Sequence, residues 1–216
     1  MPHVFMNARD PVSCYTHFLG ACLSMVAALL LFGKSRMTAA PLPVTVGGVV
    51  FGLSLLALYT ASAVYHFYRG SDRVLLRLRK LDHSIIYVLI AGTYTPLVLR
   101  FFAPARAVLF LAAIWGIALG GIVMKLFWLN APRWLYTSLY LLMGWAVVFE
   151  IPAFSAMPAA CLALIAGGGV SYSVGAVIYL LKKPNLSPLL GFHELFHLLI
   201  LLGSALHFIA IFGFVI

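Results

Sequence analysis

Apolar residues run along this chain in stretches long enough to cross a bilayer, about 20 residues each, and they do so seven times. The runs lie near 16–33, 45–68, 82–99, 106–125, 134–151, 157–181 and 190–214. Within a run the apolar positions are continuous rather than alternating, which predicts helices and argues against a β-barrel. The connections between runs are short and leave no room for a second domain. The pattern therefore predicts an all-α membrane protein, one seven-transmembrane helix bundle over residues 1–216. No internal repeat or low-complexity tract interrupts it. The first 15 residues are mixed in character and the first run is long and uninterrupted, so no cleavable signal is expected.

Composition sharpens this picture. At 64% hydrophobic and 9% charged residues the chain falls outside the range of soluble globular domains. A formal net charge of +9 raises nucleic acid as a partner, but the distribution of charge excludes it. The N-terminus and the 2–3, 4–5 and 6–7 connections carry Arg9, Arg69, Arg73, Arg77, Arg79, Lys80, Lys125, Arg133, Lys182 and Lys183. The opposite side carries only Lys34, Arg36, Arg100 and Arg106. Ten against four places the N-terminus in the cytoplasm and the C-terminus outside a plasma membrane. Membrane lipids are then the expected partners, and the basic 2–3 connection is first an orientation signal and secondarily a surface for anionic headgroups. Cys14, Cys22 and Cys161 form no C-x-x-C pair. Cys14 and Cys22 lie about 12 Å apart along one helix, too far to bridge, and the three read as packing residues.

Polar residues inside the apolar runs are costly and point to function. The last run opens with Gly191-Phe192-His193-Glu194-Leu195-Phe196-His197. Histidines at i and i+4 stand one above the other on a helix, so both imidazoles reach one metal ion, and the acid after the first completes the H-E-x-x-H pattern of zinc metallohydrolases. Span two ends in Ser62-Ala63-Val64-Tyr65-His66, again with i and i+4 sharing a face. Span three opens with Asp82-His83. These two are about 100° apart round a helix and are not expected to face one pocket. Asp82 is favoured as the functional one, being harder to leave unpaired in lipid.

The remaining polar positions read more plainly. His3 lies in a tail and is expected to be solvated. His17 opens span one and reads as a hydrogen-bonding histidine of the interface. Gly92-Thr93-Tyr94-Thr95-Pro96 reads as a packed kink whose freed carbonyls threonine hydroxyls satisfy. Gly120-Gly121 and Gly167-Gly168-Gly169 read as surfaces of close helix approach. Trp128, Trp134 and Tyr136 fit an interfacial belt, and Glu150 reads as a hydrated end residue. His207 lies about 15 Å beyond His197 along the helix, too far to share its ion, and reads as a core or headgroup histidine.

With the N-terminus inside, His66, Asp82, His193 and His197 all fall at the cytoplasmic end of the bundle at similar depth. Two helical histidines and a third from another helix make the His₃ set of a catalytic zinc site, with water in the fourth position. At this point the residues carry a resemblance. Ser62-x-x-x-His66, Asp82-His83, Gly92-Thr93-Tyr94-Thr95-Pro96, His193-x-x-x-His197 and His207-Phe208 resemble the hemolysin III family of bacterial membrane proteins. That family belongs to the progestin and adipoQ receptor group and is more distantly similar to alkaline ceramidases. The resemblance covers essentially the whole chain. It implies seven helices and one zinc per chain near the cytoplasmic face, held by His66, His193 and His197, with Asp82 and Ser62 near the metal-bound water. Related receptors carry glutamine where this chain has Glu194, so the resemblance implies that Glu194 is not the indispensable base of the bare H-E-x-x-H pattern.

The expected function is metal-dependent hydrolysis of a lipid amide or ester, ceramidase-like, in membrane lipid homeostasis. Asp82 would act as general base and Ser62 would hydrogen-bond the water or hold Asp82. Two other readings stand beside it: a non-catalytic receptor or regulator of lipid state with a structural zinc, and an intramembrane zinc protease built on His193-Glu194-x-x-His197. The family name suggests haemolysis, but nothing in the sequence resembles a toxin. Iron or another divalent ion would also suit three imidazoles.

Overall fold

The computed structural model describes residues 7–216, apart from the side chain of Phe154; His3 lies outside the described residues. The chain forms α1 (Pro11–Met37), α2 (Leu42–Phe67), α3 (Asp72–Phe101), α4 (Pro104–Phe127) and α5 (Arg133–Gly144). A short 3₁₀ stretch, Ala146–Glu150, leads into α6 (Ile151–Phe154), followed by α7 (Ala159–Leu181) and α8 (Phe192–Ala210), which ends in a π-turn, Ile211–Val215. Among the described residues, seven helical segments are long and apolar enough to cross a membrane, with α5 and α6 together making the fifth. Prolines start many of them. Pro11 and Pro104 sit in the first turn, where the missing N–H costs nothing, and Pro41, Pro132 and Pro158 immediately precede a helix. Outer faces are left apolar, with Leu29, Val108 and Leu109 widely exposed, as lipid contact requires.

α1 packs along α2, α2 along α3, α3 along α4, and α7 along α8, while α1 also touches α8. α2 and α3 are the most enclosed spans. Small residues set their separation: a Cβ added at Gly47 would stand 2.8 Å from Cα of Pro96. Pro96 lies inside α3 without ending it, and the neighbouring Thr93 and Thr95 hydroxyls donate to Leu89 and Ala91 carbonyls at 2.8 Å. Of the glycine pairs, Gly121 packs on the ring of Tyr87, whereas Gly120 has nothing near it. Gly168 makes room for the ring of His207.

Three boundaries differ from the apolar pattern, each for a physical reason. α3 begins at Asp72, ten residues before the third apolar run, because a basic turn carries the helix beyond the apolar layer. The fifth span breaks after Gly144. There the Tyr94 hydroxyl donates to the Gly144 carbonyl and accepts from the Val147 amide at 3.2 Å, replacing the bonds that the break removes. At the widened turn after α8, Lys34 donates to the Phe212 carbonyl and lies over its ring. Tyr136 is buried rather than part of an interfacial belt, with Trp128 and Trp134 left outside. Glu150 accepts from Arg106 at 3.2 Å instead of standing alone in water.

Candidate metal centre

The end of α2 and the start of α8 bring three imidazoles together. His66, His193 and His197 each offer a ring nitrogen, and these three atoms lie within 4.8 Å of one another. Nε2 of His193 stands 3.4 Å from Nε2 of His66. Two nitrogens bound to one tetrahedral ion at about 2.0–2.1 Å stand about 3.4 Å apart, so this pair already has the spacing that shared ligation needs. The rings of His193 and His197 lie 4.6 Å apart, as the i, i+4 spacing predicts, and that of His66 lies 4.9 Å from that of His197. His66 and His197 are almost wholly buried, and Nδ1 of His197 has no hydrogen-bond partner among the described residues. Buried polar atoms are normally paired, and a metal would supply the missing partner.

The second nitrogen of His66 has a partner that the sequence reading missed. Nδ1 lies 2.8 Å from Oδ2 of Asp10. Asp10 occupies the position just before α1, where an aspartate usually caps the helix, yet it makes no capping bond. Its carboxylate turns instead to His66 and to Arg9, which donates from Nε and Nη2 at 3.0 and 2.9 Å. Arg9 in turn lies over the ring of Tyr65, 4.3 Å from its centre. The Asp10 amide donates to the His66 carbonyl at 3.1 Å, so the two residues are tied through backbone and side chain alike. The hydrogen bond from His66, aided by Arg9, holds the Asp10 carboxyl down at about 2 although partial burial pushes it up. A carboxylate on Nδ1 keeps the proton there and leaves the Nε2 lone pair free, the arrangement that orients histidine ligands in metalloproteins. Only the Asp-Pro at a helix start marks this residue in the sequence, and that pattern points to a cap.

Asp82 and Ser62 line one cavity with His17, His193 and His197. Asp82 is not separated from its neighbour as the helical angle predicts: Nδ1 of His83 lies 3.1 Å from its Oδ2, and His83 lines the same cavity. His17 also departs from expectation. It is buried, stacks on His197 with ring centres 3.7 Å apart and planes 15° apart, and makes no hydrogen bond from either nitrogen among the described residues. The cavity, about 270 Å³, runs on between α3, α5, α7 and α8 past Tyr172 to His207, and is largely apolar. His207 is a core residue whose Nε2 faces the Ile165 carbonyl at 3.1 Å.

Glu194 has a structural occupation. Its Oε2 accepts from the Gly191 amide and its Oε1 from the Ser13 hydroxyl, both at 3.0 Å, so it caps α8 and fastens α1 to it.

Comparison with known proteins places this architecture. The family described as "Haemolysin-III related" matches residues 5–208. The chain is 34% identical over 212 residues to the "Hemolysin-3 homolog" of Bacillus subtilis (strain 168), covering 96% of this chain and 95% of that protein. It is likewise 34% identical over 211 residues to "Hemolysin-3" of Bacillus cereus, covering 96% and 92%. At greater distance, the human "Monocyte to macrophage differentiation factor" is 26% identical over 233 residues, covering 96% and 90%.

Proposed function

The chain belongs to the haemolysin-III-related family, and from that premise we propose that it is a zinc-dependent hydrolase of a lipid amide or ester. The observation that carries this reading is the meeting of three imidazoles, a partly buried carboxylate and a largely apolar cavity at one end of the bundle. His66, His193 and His197 would hold the ion, and the 3.4 Å between two of their nitrogens fits it. Zinc, when bound, supplies Lewis acidity, polarising a carbonyl and acidifying water. Asp82 takes the proton from the attacking water and returns it to the leaving nitrogen or oxygen as the carbonyl–heteroatom bond breaks. Ser62 lies beside Asp82 and orients its carboxylate. The acyl chain lies along the cavity toward His207, away from bulk water.

The bias of basic residues puts this end of the bundle at the cytoplasmic face of the plasma membrane. Glu194 is committed to a helix cap and to Ser13, which speaks against the protease reading. Ligands drawn from α2 and α8 favour one alternative, a receptor or regulator in which the ion ties the first and last parts of the bundle together.

The test is turnover of short-chain fluorescent acyl amides and esters by the metal-loaded protein in nanodiscs. Asp82→Asn is expected to lower the rate by about 10²–10⁴-fold with the metal retained. Turnover that survives this substitution, or no turnover from a fully loaded wild type, overturns the hydrolase reading and leaves the regulator.

A further inference from the structure

The main cavity carries a polar group far from the histidine cluster. His207 lines it from α8, about 15 Å beyond His197 along the helix. That places it near the middle of a hydrocarbon layer about 30 Å thick. The residue is 6% exposed. Its Nε2 faces the Ile165 carbonyl at 3.1 Å, and its ring meets that of Tyr172 edge-on, with centres 5.2 Å apart. Gly168 leaves the ring its space, since a Cβ there would stand 2.3 Å from it. A carbonyl oxygen can only accept, so Nε2 carries a proton. A charged imidazole is costly at this depth, and a neutral ring with its proton on Nε2 keeps a lone pair on Nδ1. That Nδ1 has no hydrogen-bond partner among the described residues.

Other polar side chains of the cavity wall are engaged. The Thr93 hydroxyl donates to the Leu89 carbonyl and the Tyr94 hydroxyl to that of Gly144. The Trp145 indole donates to Oγ of Ser173 at 2.9 Å, and the Ser173 hydroxyl donates to the Gly169 carbonyl at 2.7 Å. The Tyr172 hydroxyl meets Oγ of Ser204 at 2.9 Å. Fastening α8 to α7 uses only the bond from Nε2 of His207. It leaves a buried acceptor unpaired beside a cavity, and buried polar atoms are normally paired. An ionisable side chain within a span is also by default a functional one.

We propose that His207 is a second polar anchor of the cavity: the lipid held there carries a hydroxyl group on its chain, and that hydroxyl donates to Nδ1. With the carbonyl of the lipid at the three histidines, the hydroxyl falls roughly a dozen carbons along the chain, the span of about 15 Å of helix. The placing of the carbonyl rests on the hydrolase reading; the pairing with Nδ1 does not. A keto oxygen at the same carbon has no hydrogen to give, so a ketone gains nothing there.

The experiment measures binding of octadecanoic acid, and of its derivatives hydroxylated at the sixth, ninth or twelfth carbon, to wild type and His207→Phe in zwitterionic nanodiscs. These acids hold no bond for a hydrolase to cut, so the result stands whether or not the protein turns lipids over. Phenylalanine keeps a ring and removes the acceptor. The preference for each hydroxy acid over the plain acid is taken in both proteins, and their quotient removes the hydroxyl's own effect on partition into the bilayer. For the twelfth carbon this quotient is expected to be about three- to tenfold, and for the keto acid about one. His207→Gln, which retains an acceptor, should keep part of the preference. Circular dichroism and thermal unfolding check each variant, and His207→Leu takes the place of the phenylalanine variant where that one fails to fold. A preference at another carbon that is lost without His207 upholds the pairing and moves the carbonyl off the histidines, which counts against the hydrolase reading alone. Quotients near one at every carbon overturn the proposal and leave Nδ1 to an ordered water.

Discussion

Removal of the Asp10 carboxylate tests whether the proposed metal centre extends beyond its three imidazoles. Asp10→Ala deletes the acceptor on Nδ1 of His66 but leaves the backbone bond from residue 10 to the His66 carbonyl, so the segment stays in place. Carboxylates in this position are typically worth about 10–100-fold in metal affinity. Asp10 is 40% exposed, so water can replace it as acceptor in part, which sets the expectation at the lower end. A tenfold rise in Kd, about 1.4 kcal/mol, is therefore expected for Asp10→Ala. Asp10→Asn keeps an acceptor oxygen and loses only the charge, so a smaller rise of about threefold should follow. With its carboxyl held at about 2, against an ordinary 3.8, Asp10 is charged at every practical pH. Its charge is present above the ordinary value and is lost only as pH falls through about 2, so protonation of the carboxylate itself does not remove the contact in neutral or mildly acidic buffers. The assay is competition for zinc against a chromophoric chelator on detergent-purified protein, with His66→Ala as the reference for loss of a ligand. An Asp10→Ala affinity within twofold of wild type, with His66→Ala severely impaired, would refute the argument that Asp10 aims His66.

Two other substitutions separate structural from chemical roles. Glu194→Gln should leave hydrolysis within about threefold of wild type while costing about 1 kcal/mol of stability as a helix-cap charge is lost, read as thermal denaturation beside turnover; abolished turnover would revive the protease reading. Gly47→Ala should destabilise by about 1–3 kcal/mol, because its Cβ would meet the backbone of Pro96 at 2.8 Å, whereas Gly33→Ala, with nothing within 4 Å, should be neutral or better. Equal effects in denaturation midpoints would show that the α2–α3 contact is not what fixes the separation of those helices.

The seven spans were legible because hydrocarbon imposes a length and an apolarity that few soluble segments match. His193 and His197 were legible because one helix fixes their relation, and His66 because its span carries it to the same end. What local pattern could not show is how side chains settle between helices. Asp10 looks like a cap because the pattern preceding Pro11 is that of a cap; only the third dimension brings His66 to it. His17 looks interfacial because it opens a span, but α1 lies against α8 and its ring is covered by His197. The angle between successive helical residues separates Asp82 from His83, yet their side chains meet at 3.1 Å and line one cavity. The break after Gly144 has no proline to announce it, and the tyrosine that makes it tolerable belongs to another helix.

The wide separation of the clustered residues along the chain also orders the protein's birth. His193 lies 127 positions after His66, and Ser13 is bonded to a residue 181 positions later. None of these meetings can occur while the ribosome is still making the middle spans, and α1 waits in the membrane with a half-finished surface until α8 is threaded beside it. The histidine cluster therefore closes only after the start of α8 has been made. A chain truncated before its last span would retain six hydrophobic segments, insert, and yet lack two of the three imidazoles.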